Sequence, residues 1–124
     1  METTGTAGIE AVREIVATAG MEFVPNLSDY IDPSAGWSEV EYRHLDLQSR
    51  RTVVGYWTGE PGSVSFDSWP YTEVCSILSG QVAVADQYGH RKTFGAGQGF
   101  IVPQGFRGTW ISVESARKIF VAIE

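Results

Sequence analysis

Gly97-Gln98-Gly99-Phe100-Ile101-Val102-Pro103-Gln104-Gly105 is the stretch on which the reading of this chain turns. A short apolar run, Phe100-Ile101-Val102, is bracketed by glycines on one side and by Pro-x-Gly on the other. Pro103 has no backbone N–H to give to a ladder, and Gly105 accepts the left-handed backbone that a tight turn needs. The pattern predicts a strand over 99–102 that ends in a turn at 103–105. The glycines ahead of it, Gly95, Gly97 and Gly99, lie between two strand-like runs without the helix that a phosphate-binding loop requires, so they too read as a turn.

Outward from that strand the same punctuation recurs. Further strands are predicted over 52–58, 63–66, 73–78, 81–86, 90–94, 107–113 and 117–123, separated by turns such as Gly59-Glu60-Pro61-Gly62, Ser79-Gly80 and Tyr88-Gly89. Another follows Trp37, where Val40, Tyr42, Leu45 and Leu47 alternate with charged neighbours in the manner of a half-buried strand. About eight short strands joined by glycine turns imply an all-β fold, an antiparallel barrel or jelly roll that hides its sheet edges. Ahead of it, Ile9, Val12, Ile15 and Val16 recur at helical spacing and Gly20 is a natural stop, which predicts a short N-terminal helix over 7–19. Pro25-Asn26, Ser28-Asp29 and Asp32-Pro33-Ser34 break 22–36 into extended and turn segments. Residues 1–36 are thus read as helix and arm, and 37–124 as the barrel, in a single domain overall.

Composition narrows the function classes. A length of 124 residues suits one core. The net charge is −6, and the basic residues form no stripe beyond Arg50-Arg51 and Arg91-Lys92, so nucleic acid is not an expected partner. No apolar run approaches a transmembrane span, and no basic region followed by an apolar run marks a signal peptide; the expected compartment is the cytoplasm, with no membrane partner. Cys75 is the lone cysteine, which excludes an internal disulfide and any multi-cysteine zinc site.

From Thr52 onward the chain resembles the small single-domain cupins related to the ureidoglycine aminohydrolase and ethanolamine-utilisation cupins. The features that carry the resemblance are Gly55-Tyr56-Trp57 followed by Pro61-Gly62, Tyr71-Thr72-Glu73 leading through Ile77-Leu78 to Gly80, a hairpin turn from Asp86 to Gly89, the run from Gly97 to Gly105, Phe106-Arg107-Gly108-Thr109-Trp110, and Lys118. The resemblance implies a cupin barrel, a homodimer in which the N-terminal segment takes part, and a cavity bordered by Tyr71, Glu73 and Trp110. The family's metal set is three His and one Glu. Glu73 and Gly80 keep the end of the first motif, but the His positions fall among Phe66, Asp67, Ser68 and Trp69 and on Gly108.

The residues themselves lead the same way. A transition-metal site needs several converging imidazole, thiolate or carboxylate donors. His44 and His90 lie far apart in sequence; His90 follows a turn, and His44 sits among charged residues on a strand, as a surface or interface histidine does. The chain is therefore read as holding no metal and no other cofactor, the alternative being an atypical set of Glu73, Asp67, His44 and Cys75. Period two places Glu73 and Cys75 on one face with Ile77, inside the barrel. A carboxylate there needs a donor such as Tyr71, Tyr56, a Trp indole or Arg107, or else takes up a proton more readily than a free glutamate. With Cys75 beside a carboxylate and no base placed to activate it, an inert buried thiol is expected.

Three functions follow. The favoured one is metal-independent binding of a small organic molecule, with Glu73 and Tyr71 as polar contacts and Trp57, Trp69 and Trp110 as walls. The second is a small-metabolite lyase, isomerase or hydrolase in which Glu73, with Tyr71, serves as acid/base or an atypical metal site operates. The third is a structural or regulatory module whose barrel is filled by its own side chains.

Overall fold

The computed structural model describes residues 8–124. Its strands are β1 (Met21–Phe23), β2 (Glu39–Leu47), β3 (Thr52–Gly59), β4 (Gly62–Phe66), β5 (Thr72–Ser79), β6 (Gln81–Asp86), β7 (Arg91–Gly95), β8 (Gly99–Val102), β9 (Gly108–Ser112) and β10 (Ala116–Ile123). β6 and β8 have the predicted bounds, and the other six strands predicted from 52 onward end within one residue of theirs. Gly and Pro account for much of this accuracy, because the backbone at Gly80, Gly89, Gly97 and Gly105 has the positive φ that favours glycine. Gly105 has φ +88°, and at Gly80, with φ +79°, a Cβ would lie 2.2 Å from the Ser115 carbonyl oxygen.

All pairings are antiparallel and build two sheets, one in the order β1-β2-β3-β10-β5-β8 and one in the order β4-β9-β6-β7. The chain passes from one sheet to the other between β3 and β4, β4 and β5, β5 and β6, β7 and β8, β8 and β9, and β9 and β10, as a jelly roll does. The core lies between the sheets and centres on Trp57, Val64, Trp69, Cys75, Ile77, Val82, Val102, Trp110 and Phe120. No helix among the described residues is long and apolar enough to cross a membrane.

The N-terminal helix predicted over 7–19 is much shorter than expected in the described residues; residue 7 lies outside them. A single 3-10 turn, Ile9–Ala11, is followed by chain without regular structure and a turn at 17–20. Apolar spacing stabilises a helix only where the apolar stripe is buried, and Ile9 and Val12 are 83% and 76% exposed. Val16, β-branched and favouring extended backbone, instead holds the arm to the barrel: its carbonyl oxygen lies 2.8 Å from His44 Nε2. His44, expected as a surface or interface histidine, is correspondingly buried under the arm and so is not on the surface.

In β2 the predicted period is right and the face is reversed. Glu39 and Glu41 are buried, while Val40 and Tyr42 stand half-buried on the outer side. Register explains the inversion. Glu41 pairs with Trp57 across the β2–β3 ladder, opposite residues share a face, and Trp57 points into the core.

Candidate functional site

The interior site is assembled by one row of the larger sheet. Glu41 on β2 stands opposite Trp57 on β3, Trp57 opposite Lys118 on β10, and Lys118 opposite Ile77 on β5. All four point inward. Two residues along β5, Cys75 faces Phe120, and two further, Glu73 faces Ala122. The small Ala122 leaves room between these rows, and the long Lys118 side chain runs through it to Glu73.

Glu73 is 6% exposed and fully engaged. It accepts hydrogen bonds from the Lys118 ammonium, from Trp69 Nε1 at 3.2 Å and from the Cys75 thiol at 3.3 Å. The ammonium also lies 3.9 Å from the Trp110 ring centre and 4.7 Å from that of Trp57, within the range of cation–π attraction. Burial alone would push the Glu73 carboxyl up, but the Lys118 charge and the three hydrogen bonds hold it below its usual value. Burial likewise works against the Lys118 charge, and the acidic groups beside it, Cys75 and Glu73, raise its pKa above the ordinary value. Burial pushes the Cys75 thiol up despite the nearby ammonium. The thiol therefore keeps its proton, and the charged partner of Lys118 is the carboxylate.

A second carboxylate lies on the same inner wall. Glu39 Oε2 accepts from the Tyr30 hydroxyl and from Trp37 Nε1 at 2.8 Å, and its Oε1 accepts from Trp57 Nε1 at 2.9 Å. Glu41 is bonded by Arg43 Nε at 3.0 Å, yet burial outweighs the guanidinium and raises its carboxyl pKa. Tyr71 differs from these groups. Burial, then the Glu73, Glu41 and Glu39 charges, push its phenol well above its usual range, so it remains a donor. No side-chain hydrogen bond engages that donor among the described residues.

Trp57, Trp69, Tyr71, Glu73 and Trp110 thus come together around one cavity, joined by Lys118, Glu39, Glu41, Tyr30 and Trp37. Of the donors expected for Glu73, a Trp indole is present. Arg107 instead faces Asp67 at 3.8 Å on the surface. Lys118 as the partner was not foreseen, although a signal existed: it shares the inner period of β10 with Ala116, Phe120 and Ala122. The cavity holds about 40 Å³, room for about three waters at the usual minimum per water. Outside it, Glu41 and Tyr71 also line two clefts, of about 210 Å³ and 450 Å³. The larger is walled on the arm side by Phe23, Pro25 and Tyr30. Glu41 and Tyr71 therefore form a throat between the clefts and the Lys118–Glu73 pair.

A family model, the EutQ-like cupin domain, matches residues 47–120. The chain belongs to the EutQ-like cupin family. Among solved structures, this cupin is similar to the Clostridium difficile EutQ protein, at 18% identity and TM-score 0.64, over 79% of this chain and 78% of that one. It is also similar to a putative ethanolamine utilization protein Q of Salmonella typhimurium, at 18% identity and TM-score 0.63, over 76% of each chain. A Pseudomonas syringae protein of unknown function gives TM-score 0.67 at 21% identity, over 79% of this chain and 41% of that one. These likenesses are of fold. No curated protein matches the chain.

The family-type metal set does not fit this cupin's residues. Both oxygens of Glu73 are taken by the ammonium, the indole and the thiol. At Gly108, a Cβ would lie 2.2 Å from the Ala85 carbonyl oxygen and 2.4 Å from the Phe106 ring, so the position admits no side chain without rearrangement. Asp67 points to solvent, and His44 is held by the arm. Among the described residues no three His, Cys, Asp or Glu side chains converge as a metal set.

Proposed function

We propose that this cupin binds a small polar organic molecule without a metal, at the throat formed by Glu41 and Tyr71. The observation that carries the reading is the Tyr71 hydroxyl, a donor whose phenol pKa is raised by burial and the neighbouring carboxylates, with no side-chain partner among the described residues, set between aromatic walls and next to carboxylates. Sites for small molecules combine such apolar walls with a few unspent polar groups. A guest accepts a hydrogen bond from Tyr71 and donates to Glu41, while its apolar part lies on Phe66 and Tyr30 in the larger cleft. Lys118 and Glu73 lie beyond the throat, where their charges fix the field that the guest meets. Glu73, held below the ordinary carboxylate range, is a weak base rather than one poised near neutrality, which favours binding over acid/base catalysis.

The test is a metabolite screen by thermal shift, followed by titration of each hit. Tyr71→Phe, which removes one hydroxyl, is expected to weaken a genuine hit about tenfold while leaving the melting temperature nearly unchanged. Hits that bind Tyr71→Phe as tightly as wild type refute the throat as the site. For any hit that is also turned over, Glu73→Gln separates the roles: loss of turnover at retained affinity assigns chemistry to Glu73.

A second reading, a structural or regulatory module with a filled barrel, is supported by the 40 Å³ interior and by the absence, among the described residues, of unpaired side-chain polar atoms wholly shut off from solvent. It expects the screen to return nothing at the throat.

A further inference from the structure

At the opposite seam of the barrel, where the sheets part between β7 and β8, lies a cavity of about 300 Å³ that the interior site does not use. Its size falls at the lower end of small-molecule pockets. Neither Tyr71 nor Glu41 lines it, so it stands apart from the throat. Its floor is Val84, Phe94, Phe100 and Phe106, all only half-buried. Phe94 and Phe100 stack at 4.1 Å with their planes 10° apart, one from each sheet.

The rim is unlike the floor. In the β6–β7 ladder, Lys92 stands opposite Val84 and Phe94 opposite Val82, and Val82 is fully buried. Opposite residues share a face, so Lys92 lies on the barrel side of β7, where period two calls for an apolar residue. Neither Lys92 nor Arg91 forms an ion pair among the described residues. The acidic residue lining the seam, Asp86, is already engaged: it accepts from the backbone N–H groups of Tyr88 at 2.8 Å and His90 at 2.9 Å, and contacts the His90 ring at 2.9 Å. On a chain of net charge −6, two unpaired cations beside an engaged carboxylate reverse the local sign.

We infer that the β7–β8 seam binds a small aromatic carboxylate, its ring on the Phe94, Phe100 and Phe106 floor and its carboxylate at the Lys92 ammonium. The floor selects a flat apolar body, and the uncompensated ammonium selects an anion. The competing role for an inward lysine on an edge strand is to block edge-to-edge pairing with another chain, and it makes a different prediction for the same variant.

The experiment titrates the nitrogen-15-labelled chain with phenylacetate, phenylacetamide and acetate, following backbone amide shifts. Phenylacetate is expected to give saturable shifts over 91–102 and 104–106, with the amide and acetate each at least about tenfold weaker. Lys92→Gln should weaken phenylacetate by about tenfold at an unchanged melting temperature, and Lys92→Arg should retain it. Absence of saturation at millimolar phenylacetate, equal affinity for the amide, or shifts centred on Tyr71 would each overturn the assignment. So would a Lys92→Gln variant that binds phenylacetate normally but self-associates, because the lysine would then be an edge guard.

Discussion

Glu73 and Glu39 are buried to nearly the same degree in the same sheet, 6% and 8% exposed, yet the protein stabilises them differently. Glu73, at the β5–β10 centre, is matched by a full positive charge from Lys118. Glu39, on the β2 wall, is held by three neutral donors, two of which, Tyr30 and Trp37, come from the segment before β2. An ion pair is nearly self-contained; a set of dipoles has to be delivered by neighbouring chain. The centre therefore makes its demand on the barrel alone, whereas the wall ties the arm to the barrel. In the first case the charge stabilises a site, and in the second it positions a segment.

Breaking the centre should have the largest effect. Lys118→Met leaves Glu73 buried without its counter-charge and is expected to destabilise by about 3–5 kcal/mol, measured by urea denaturation. Lys118→Met combined with Glu73→Gln removes both charges and keeps an acceptor for Trp69. It should recover at least half of that loss, giving a clear coupling energy. If the double variant is as unstable as the sum of the singles, Lys118 and Glu73 act independently and the contrast with Glu39 disappears.

Tyr30→Phe removes one donor to Glu39 and should cost about 1.5–3 kcal/mol, the range for hydrogen bonds to charged groups. The sharper readout is local. Amide exchange should quicken across β1 and 26–36 while β5 and β10 stay protected, the reverse of the pattern for Lys118→Met. Uniform loss of protection in Tyr30→Phe would show that the wall and the centre form one cooperative unit.

The smallest effects lie in pH, where two carboxyls on the inner face act with opposite signs. Glu41 has a raised pKa, so the folded state holds its proton more tightly than the unfolded chain, and stability rises as pH falls toward the ordinary carboxylate value of 4.5. Glu73 has a lowered pKa; its contribution is fully present above 4.5 and is lost as pH falls below it through the folded value. Stability followed from pH 7 downward should therefore climb and then drop. Glu41→Gln removes the climb, and Glu73→Gln the drop.

The legible parts of this molecule were those where one residue type forces one backbone. Gly80, Gly105 and Pro103 locate strand ends closely, period two places Glu73 and Cys75 on the inner face, and the family resemblance brings Tyr71 and Trp110 to the same cavity. β2 was misjudged because a Glu reads as solvent-facing unless its partners are known, and Tyr30, Trp37 and Trp57 reach Glu39 only through the fold. β1 carries no strong strand signal in its three residues. The N-terminal helix is only one 3-10 turn long because spacing says which residues share a stripe, not whether anything lies under it.

The place of β10 has a consequence for how the barrel comes together. It separates β3 from β5 in the six-stranded sheet, and it is the last strand in sequence. Until it inserts, that sheet exists as two fragments, β1-β2-β3 and β5-β8, each with an open edge. Synthesis proceeds from the N-terminus, so both edges wait for the final strand, and long-range pairing of this kind is slow to form. Insertion of β10 closes both edges together and carries the Lys118 ammonium to Glu73. The barrel's closure and the neutralisation of its central carboxylate are thus a single late event, and a chain halted before β10 exposes two unpaired strands and a buried acid without its base.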